Sequence, residues 1–253
     1  MGMGATLAKY AAEGVETHLV CASRGERGWS GPEEQFPGLE GLGKIRTKEL
    51  ENAVAILGIQ SLSFLDYIDG DVDQANHAEA ISRIVTHIRR IQPQVVVTFG
   101  HDGIYGHPDH IAIGQFTTAA IVCAADPAYK DTKKLPPHRV SKLYYMVEGE
   151  EFVNLVMPYF EDMSFPVDDQ IRSENPWEEW MITTRIATDE EHCRTAWRAI
   201  KCHASQQASL GGLADMDEET VIPILAKQGT FYRVFSLVNG GRKVETDLFE
   251  GLR

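Results

Sequence analysis

The run Gly100-His101-Asp102-Gly103-Ile104-Tyr105-Gly106-His107-Pro108-Asp109-His110 gathers three of the chain's nine histidines, two aspartates and a tyrosine. Imidazole and carboxylate together form the donor set that suits zinc. The same letters are also ordinary turn chemistry, with Asp109 capping the helix that follows. What gives the run meaning is its setting. It comes directly after the three valines of Gln94 to Phe99, the clearest strand in the sequence, whose β-branched residues read as a strand buried on both faces. It comes directly before a helix over Asp109 to Ala125. In open α/β sheets ligands bind just beyond the carboxyl ends of strands, so a site is expected in this loop. His101 and Asp102 either shape the turn or line the rim. His18, His77, His87, His138 and His192 fall on predicted strands, helices and a Pro-Pro loop, where they read as structural. His203, in His-Ala-Ser-Gln at a helix end, either reaches a pocket or interacts with the helix dipole.

The elements that must hold this loop alternate between helical and strand patterns, which argues for a parallel sheet with helices on its faces. Helices are expected over residues 3 to 13, 44 to 57, 73 to 90, 109 to 125 and 151 to 160. A further one opens at Thr188 and Glu191, which resemble a capping box, and runs to about His203. Strands are expected over residues 15 to 22, 61 to 65, 94 to 99, 142 to 147, 181 to 187 and 231 to 238. Ser23 to Leu42, rich in Gly, Pro and Glu, reads as a long loop that could act as a lid. No linker divides the chain, so a single domain over residues 1–253 is expected.

The 253 residues carry 37 acidic and 24 basic side chains, a net charge of −13 whose field repels phosphate backbones. No basic patch offsets it, so nucleic acid is not an expected partner. The longest apolar stretches, such as Ala119 to Ala125, fall well short of a bilayer span. With no secretory pattern at the start, the cytoplasm is the default location. Cys21, Cys123, Cys193 and Cys202 lack C-x-x-C spacing and read as reduced, mostly buried side chains.

Several motifs together resemble the LmbE-like, or PIG-L, family of zinc-dependent N-acetylglucosamine deacetylases. They are Gly-Ala-Thr-Leu-Ala-Lys-Tyr-Ala-Ala-Glu-Gly-Val near the start, Arg24-Gly25-Glu26-Arg27-Gly28, Arg46-x-x-Glu49, Asp69-Gly70, Tyr105-Gly106-His107-Pro108-Asp109-His110 and His203-x-Ser205-Gln206. The resemblance implies an α/β, Rossmann-like and mostly parallel sheet with helices on both faces, and release of an N-acetyl group from a small-molecule amino sugar conjugate. It implies His110 as a zinc ligand, His107 as electrophilic or acid partner, Asp109 as its orienter and Tyr105 near the oxyanion. Arg46 and Asp69 would hold the sugar's hydroxyls or anionic groups. The family's other two zinc ligands and its general base lie in an Ala-His-Pro-Asp-Asp-Glu segment after a first strand, and no such segment occurs in this sequence. The expectation is therefore an incomplete zinc site, impaired activity and a sheet lacking that first strand. A non-catalytic remnant that binds a sugar conjugate or a partner chain is the competing reading, and self-association stays open.

Overall fold

The computed structural model describes residues 2–130, 133–159, 164–241 and 243–253. In chain order the elements are α1 (Gly4–Ala12), β1 (His18–Cys21), α2 (Gly38–Leu57), β2 (Ser61–Phe64), α3 (His77–Ile91), β3 (Val95–Phe99), the short turn α4 (Gly103–Gly106) and α5 (Pro108–Ala125). Then follow β4 (Lys142–Met146), α6 (Glu150–Val156), β5 (Ser164–Val167), β6 (Gln170–Ser173), β7 (Thr184–Arg185), α7 (Glu190–Lys201), α8 (Glu218–Leu225) and β8 (Thr230–Ser236). The chain groups into two compact units, each assembled from three separated segments. Among the described residues no helix is long and apolar enough to cross a membrane.

The first unit comprises Met1–Gly70, Gly149–Met163 and Ala187–Gly229. Its two strands, β1 and β2, pair in parallel, with His18 opposite Ser61 and Cys21 opposite Phe64. Its core is helical: Ala5 of α1 meets Cys193, Ala196, Trp197 and Ile200 of α7, and Val221, Ile222 and Leu225 of α8. A Cβ on Gly4 would lie 3.0 Å from the Ala196 Cβ, so the small residues at this crossing are what let α1 and α7 approach. Helix α2 starts at Gly38, six residues before the expected Lys44, and shortens the long loop to about residues 22–37. Its three early glycines hide the helix from propensity reasoning. One of them, Gly43, fits against Glu26, whose Cγ would be 3.0 Å from an added Cβ. The capping box expected at Thr188 is replaced by Asp189, whose carboxylate accepts from the His192 amide.

The second unit comprises Asp71–Glu148, Ser164–Ile186 and Thr230–Arg253. Its sheet runs β3-β4-β8-β7, with β3 and β4 parallel and the β4-β8 and β7-β8 pairs antiparallel. The α/β class expected from the alternation is present. Antiparallel pairing enters with β8, and β5 and β6 form a separate hairpin that the sequence reading omitted. Its turn is Asp168-Asp169, both at positive φ, which aspartate tolerates better than most residues. The reading of β3 as buried on both faces is met only in part: its five residues, which alternate between the faces, are all half-buried, and among the described residues β4 is its one strand neighbour. Burial deepens one strand inward, at Lys142, Leu143 and Tyr144 of β4. Helix α3 begins at His77, not at Asp73, because the Asn76 side chain caps it by accepting from the Glu79 amide. The expected helix over Glu151 to Phe160 is found as α6, continued by a 3₁₀ turn over Met157–Tyr159, while Phe160 lies outside the described residues.

Candidate active site

Helix α5 carries the histidine loop at its amino end, and both of its ends are fixed. At the far end the buried Arg89 of α3 donates to the carbonyls of Cys123, Ala124 and Asp126 at 3.3, 3.1 and 2.7 Å, which satisfies acceptors that the helix terminus leaves orphaned. At the near end Gly114, one turn beyond His110, faces the last residue of β3. A Cβ there would be 2.6 Å from the Phe99 carbonyl oxygen. Glycine thus lets α5 lie against the strand end, and the His110 ring stacks on Phe99 with centroids 4.0 Å apart and planes 8° off parallel.

The loop itself is unusually bent. Gly103 and Gly106 have positive φ, and so does Ile104 (φ 72, ψ −69), a β-branched residue for which that conformation is strained. Such strain persists only where surrounding contacts hold it. Here Asp102 accepts from the Ile104 amide at 3.4 Å and from the Trp177 indole at 2.6 Å, and Arg172 of β6 donates to the Gly106 carbonyl at 2.7 Å. The Trp177 ring lies beside His101 at 5.5 Å.

The outcome is a compact aromatic group. Tyr105 meets His107 and His110 edge-on, with centroids at 5.7 and 5.5 Å, and the two histidine rings stack at 4.7 Å. His107 is the amino-terminal cap of α5, and its Nδ1 accepts from the Asp109 amide at 3.1 Å. A ring nitrogen that accepts an N–H carries no proton of its own, so the neutral His107 ring bears its hydrogen on Nε2. His110 is the complement. Its Nδ1 lies 3.2 Å from the Gly103 carbonyl, which can only accept, so Nδ1 is the donor and Nε2 keeps a lone pair. Burial, with the neighbouring His107 in support, pulls the His110 pKa down to about 4, so that lone pair is available at neutral pH. The Asp109 carboxylate, buried, accepts from the Val72 amide at 3.1 Å. The Asp109 backbone amide makes the hydrogen bond to His107.

A second constellation lies in the first unit, around Arg46 and Asp69. Gly25, at φ 72, and Gly28 leave room for the Arg46 guanidinium, which donates to the Gly25 carbonyl. Glu26, buried, accepts from the amides of Arg24 and Asp69 at 3.3 and 3.2 Å, and Asp69 accepts from the Arg27 amide at 3.2 Å. Burial lowers the Arg46 pKa against the opposing fields of Asp69, Glu49 and Glu26, and its buried Nε has no hydrogen-bond partner among the described residues. Glu49 accepts from the Ser205 amide and hydroxyl, both at 2.7 Å. His203 joins this group, its pKa lowered by burial while Glu49 acts in the opposite sense. Its Nδ1 lies 3.5 Å from the Gln206 side-chain nitrogen.

Sequence reasoning missed Arg172, Trp177, Glu148 and Glu174. Glu148 stands two residues beyond β4, and its carboxyl interacts with that of Glu174; burial and then the Glu174 charge push its pKa up to about 8. Position after a strand end was the available signal for Glu148. Arg172 and Trp177 lie in or after the unforeseen hairpin.

The implied zinc can be tested against these donors. A catalytic zinc takes three protein ligands. Among the described residues no three His, Cys, Asp or Glu side chains converge to hold a metal ion. His110 has the free lone pair and backbone-anchored Nδ1 of a ligand, but the set around it is short, so the described residues do not fit a three-ligand site.

The second unit thus places an imidazole pair beyond a strand end of an α/β sheet, and comparisons with known proteins say which family such a chain falls in. The family model described as GlcNAc-PI de-N-acetylase, PIG-L, matches residues 1–121. A 1D-myo-inositol 2-acetamido-2-deoxy-alpha-D-glucopyranoside deacetylase of Streptomyces avermitilis is 31% identical, the match covering 98% of this chain and 92% of the relative. The chain belongs to the PIG-L, or LmbE-like, family and is an N-deacetylase by class. Among solved structures, the N,N'-diacetylchitobiose deacetylase of Pyrococcus horikoshii superposes with a TM-score of 0.58 at 22% identity, over 81% of this chain and 65% of that one. A 4-carboxy-2-hydroxymuconate hydratase from Pseudomonas putida superposes at 0.60 with 19% identity, over 94% and 92%. These likenesses show the fold, which carries more than one chemistry.

Proposed function

We propose that this protein removes the N-acetyl group from an N-acetylglucosamine joined to a second polyol ring, acting as one deacetylase domain over the whole chain. The observation that carries the reading is the paired orientation of His107 and His110 at the carboxyl end of β3 in a chain of this family. One ring presents an N–H and the other a lone pair. The His107 Nε2–H is suited to donate to the amide carbonyl oxygen, where negative charge grows as the carbonyl carbon becomes tetrahedral. Tyr105, edge-on to both rings, flanks that position. Arg46 and Asp69 hold hydroxyl or anionic groups of the conjugate, and Asp109 acts through its amide to fix the His107 tautomer. The family resemblance implies a metal-assisted attack by water. Because the described donors fall short of three ligands, no step is assigned to zinc here, and turnover by this chain alone is expected to be weak. That same shortfall favours the second reading, a fold that binds the conjugate without cleaving it. Calorimetric binding of N,N'-diacetylchitobiose, with acetate measured in parallel, separates the two: binding with acetate release supports the enzyme, and binding without it supports the remnant. Absence of both refutes the assignment of the site.

A further inference from the structure

Within the first unit, Arg27, Trp29, Gly31, Glu33, Phe36 and Leu39 line an open recess of about 450 Å³. The indole of Trp29 is set in place before any ligand arrives. Its Nε1 donates to the Pro32 carbonyl at 2.9 Å, and Gly31 lets the ring lie flat on the loop, since a Cβ there would come within 2.5 Å of Trp29 Cζ2. With its one donor satisfied, the ring offers apolar surface. Phe36 sits 6.2 Å away, and Phe36 and Leu39 remain 40% and 46% exposed beside the fixed indole.

Two tethers tie this recess to the Arg46 constellation. The Arg27 amide donates to Asp69 at 3.2 Å, and the Ser30 hydroxyl donates at 3.1 Å to the carbonyl of Ser205, the residue that Glu49 grips from its other side. Trp29 is thereby flanked on both sides by residues tied to the group around Arg46 and Asp69. Arg27, which lines the recess, is thus the direct link between it and Asp69.

We propose that the Trp29–Phe36–Leu39 recess is the subsite for the ring attached to the amino sugar, whose C–H face stacks on the Trp29 indole. The occupant is a polyhydroxylated ring, because such rings combine an apolar face with a hydroxylated edge, and this recess pairs an indole face with the polar Arg27 and Glu33. The subsite rests on the reading of Arg46 and Asp69 as substrate-holding residues and adds the determinant of what that substrate carries.

Isothermal titration calorimetry on the full chain tests it with three probes: N-acetylglucosamine, N,N'-diacetylchitobiose and p-nitrophenyl N-acetyl-β-D-glucosaminide. The wild type should bind the disaccharide roughly tenfold more tightly than the monosaccharide, the gain expected of one good stacking contact. Trp29→Ala should close that gap while leaving monosaccharide affinity unchanged, and Trp29→Phe should keep most of it. Circular dichroism confirms that each variant is folded. A gap that is absent in the wild type, or survives Trp29→Ala, overturns the subsite. A gap seen with the nitrophenyl conjugate alone overturns the polyol ring as occupant. Arg46→Ala addresses the underlying reading separately: monosaccharide affinity indifferent to Arg46 refutes that reading, whatever Trp29 does.

Discussion

Replacing Glu148 with glutamine should stabilise the protein at alkaline pH while changing little near pH 5. The Glu148 and Glu174 carboxyls interact, and among the described residues no other group donates to the buried Oε2 of either. Two acceptors in that arrangement are compatible only if a proton lies between them. Burial first, then the Glu174 charge, with a smaller contribution from Asp102, raise the Glu148 pKa from 4.5 to about 8. The folded state therefore holds a proton that the unfolded chain releases above pH 4.5. Stability from this source is complete below that value and is lost as the pH climbs through about 8. At ~1.4 kcal/mol for each tenfold change in proton affinity, the ceiling on the loss is roughly 5 kcal/mol. Glu174, whose own pKa is raised by burial, relaxes part of it. A glutamine amide at position 148 donates to Glu174 at every pH. Urea unfolding of wild type and Glu148→Gln at pH 5 and pH 9 measures the effect, and taking the difference cancels groups common to both. The variant's advantage should grow by at least about 2 kcal/mol between the two pH values. A difference that stays flat, or falls with pH, refutes the shared-proton argument.

Glu245 is the acceptor for the fully buried Lys142 at 2.8 Å, for Tyr144 at 2.6 Å and for Asn239 at 2.7 Å. Glu245→Ala should cost about 3 to 5 kcal/mol in chemical denaturation by stranding that ammonium, and a loss under about 1 kcal/mol would contradict it. Gly114→Ala pushes a methyl toward the Phe99 carbonyl and should cost roughly 1 to 3 kcal/mol, with loss of the His110–Phe99 ring-current shift in proton NMR; an unmoved His110 resonance would show that α5 does not depend on this close approach. Elemental analysis after mild dialysis should find much less than one zinc per chain. Stoichiometric zinc that disappears in His110→Ala would show that donors beyond those described complete the site.

Much of the candidate site could be named from the sequence because its signals are local. The valine run and the Tyr-Gly-His-Pro-Asp-His letters are adjacent in sequence, and the strand-then-helix setting alone located His107 and His110 at a strand end. Arg46 and Asp69 were named through the family resemblance, and the structure gives that resemblance a physical basis in Gly25 and Gly28, which admit the Arg46 side chain. What stayed hidden depends on contacts between residues far apart in the chain. Trp177 reaches Asp102 across 75 positions and Arg172 reaches Gly106 across 66, and no periodicity reports such pairs. The early turns of α2 were missed because Gly38, Gly41 and Gly43 read as loop. Propensity penalises them, while Leu42, fully buried in the same turn, supplies the packing that overrides it. Burial of β3 was overestimated because composition shows that a strand is apolar and not how many neighbours it has.

The most direct test of the central claim is acetate release, followed by proton NMR, from N,N'-diacetylchitobiose incubated with the purified chain, its His107→Ala variant and its Asp69→Asn variant. Release should be slow and proportional to wild-type protein, lost in His107→Ala, and shifted to higher KM with little change in kcat in Asp69→Asn. Release that is equal in wild type and His107→Ala, or no release from a conjugate shown to bind, would contradict N-deacetylation at this site.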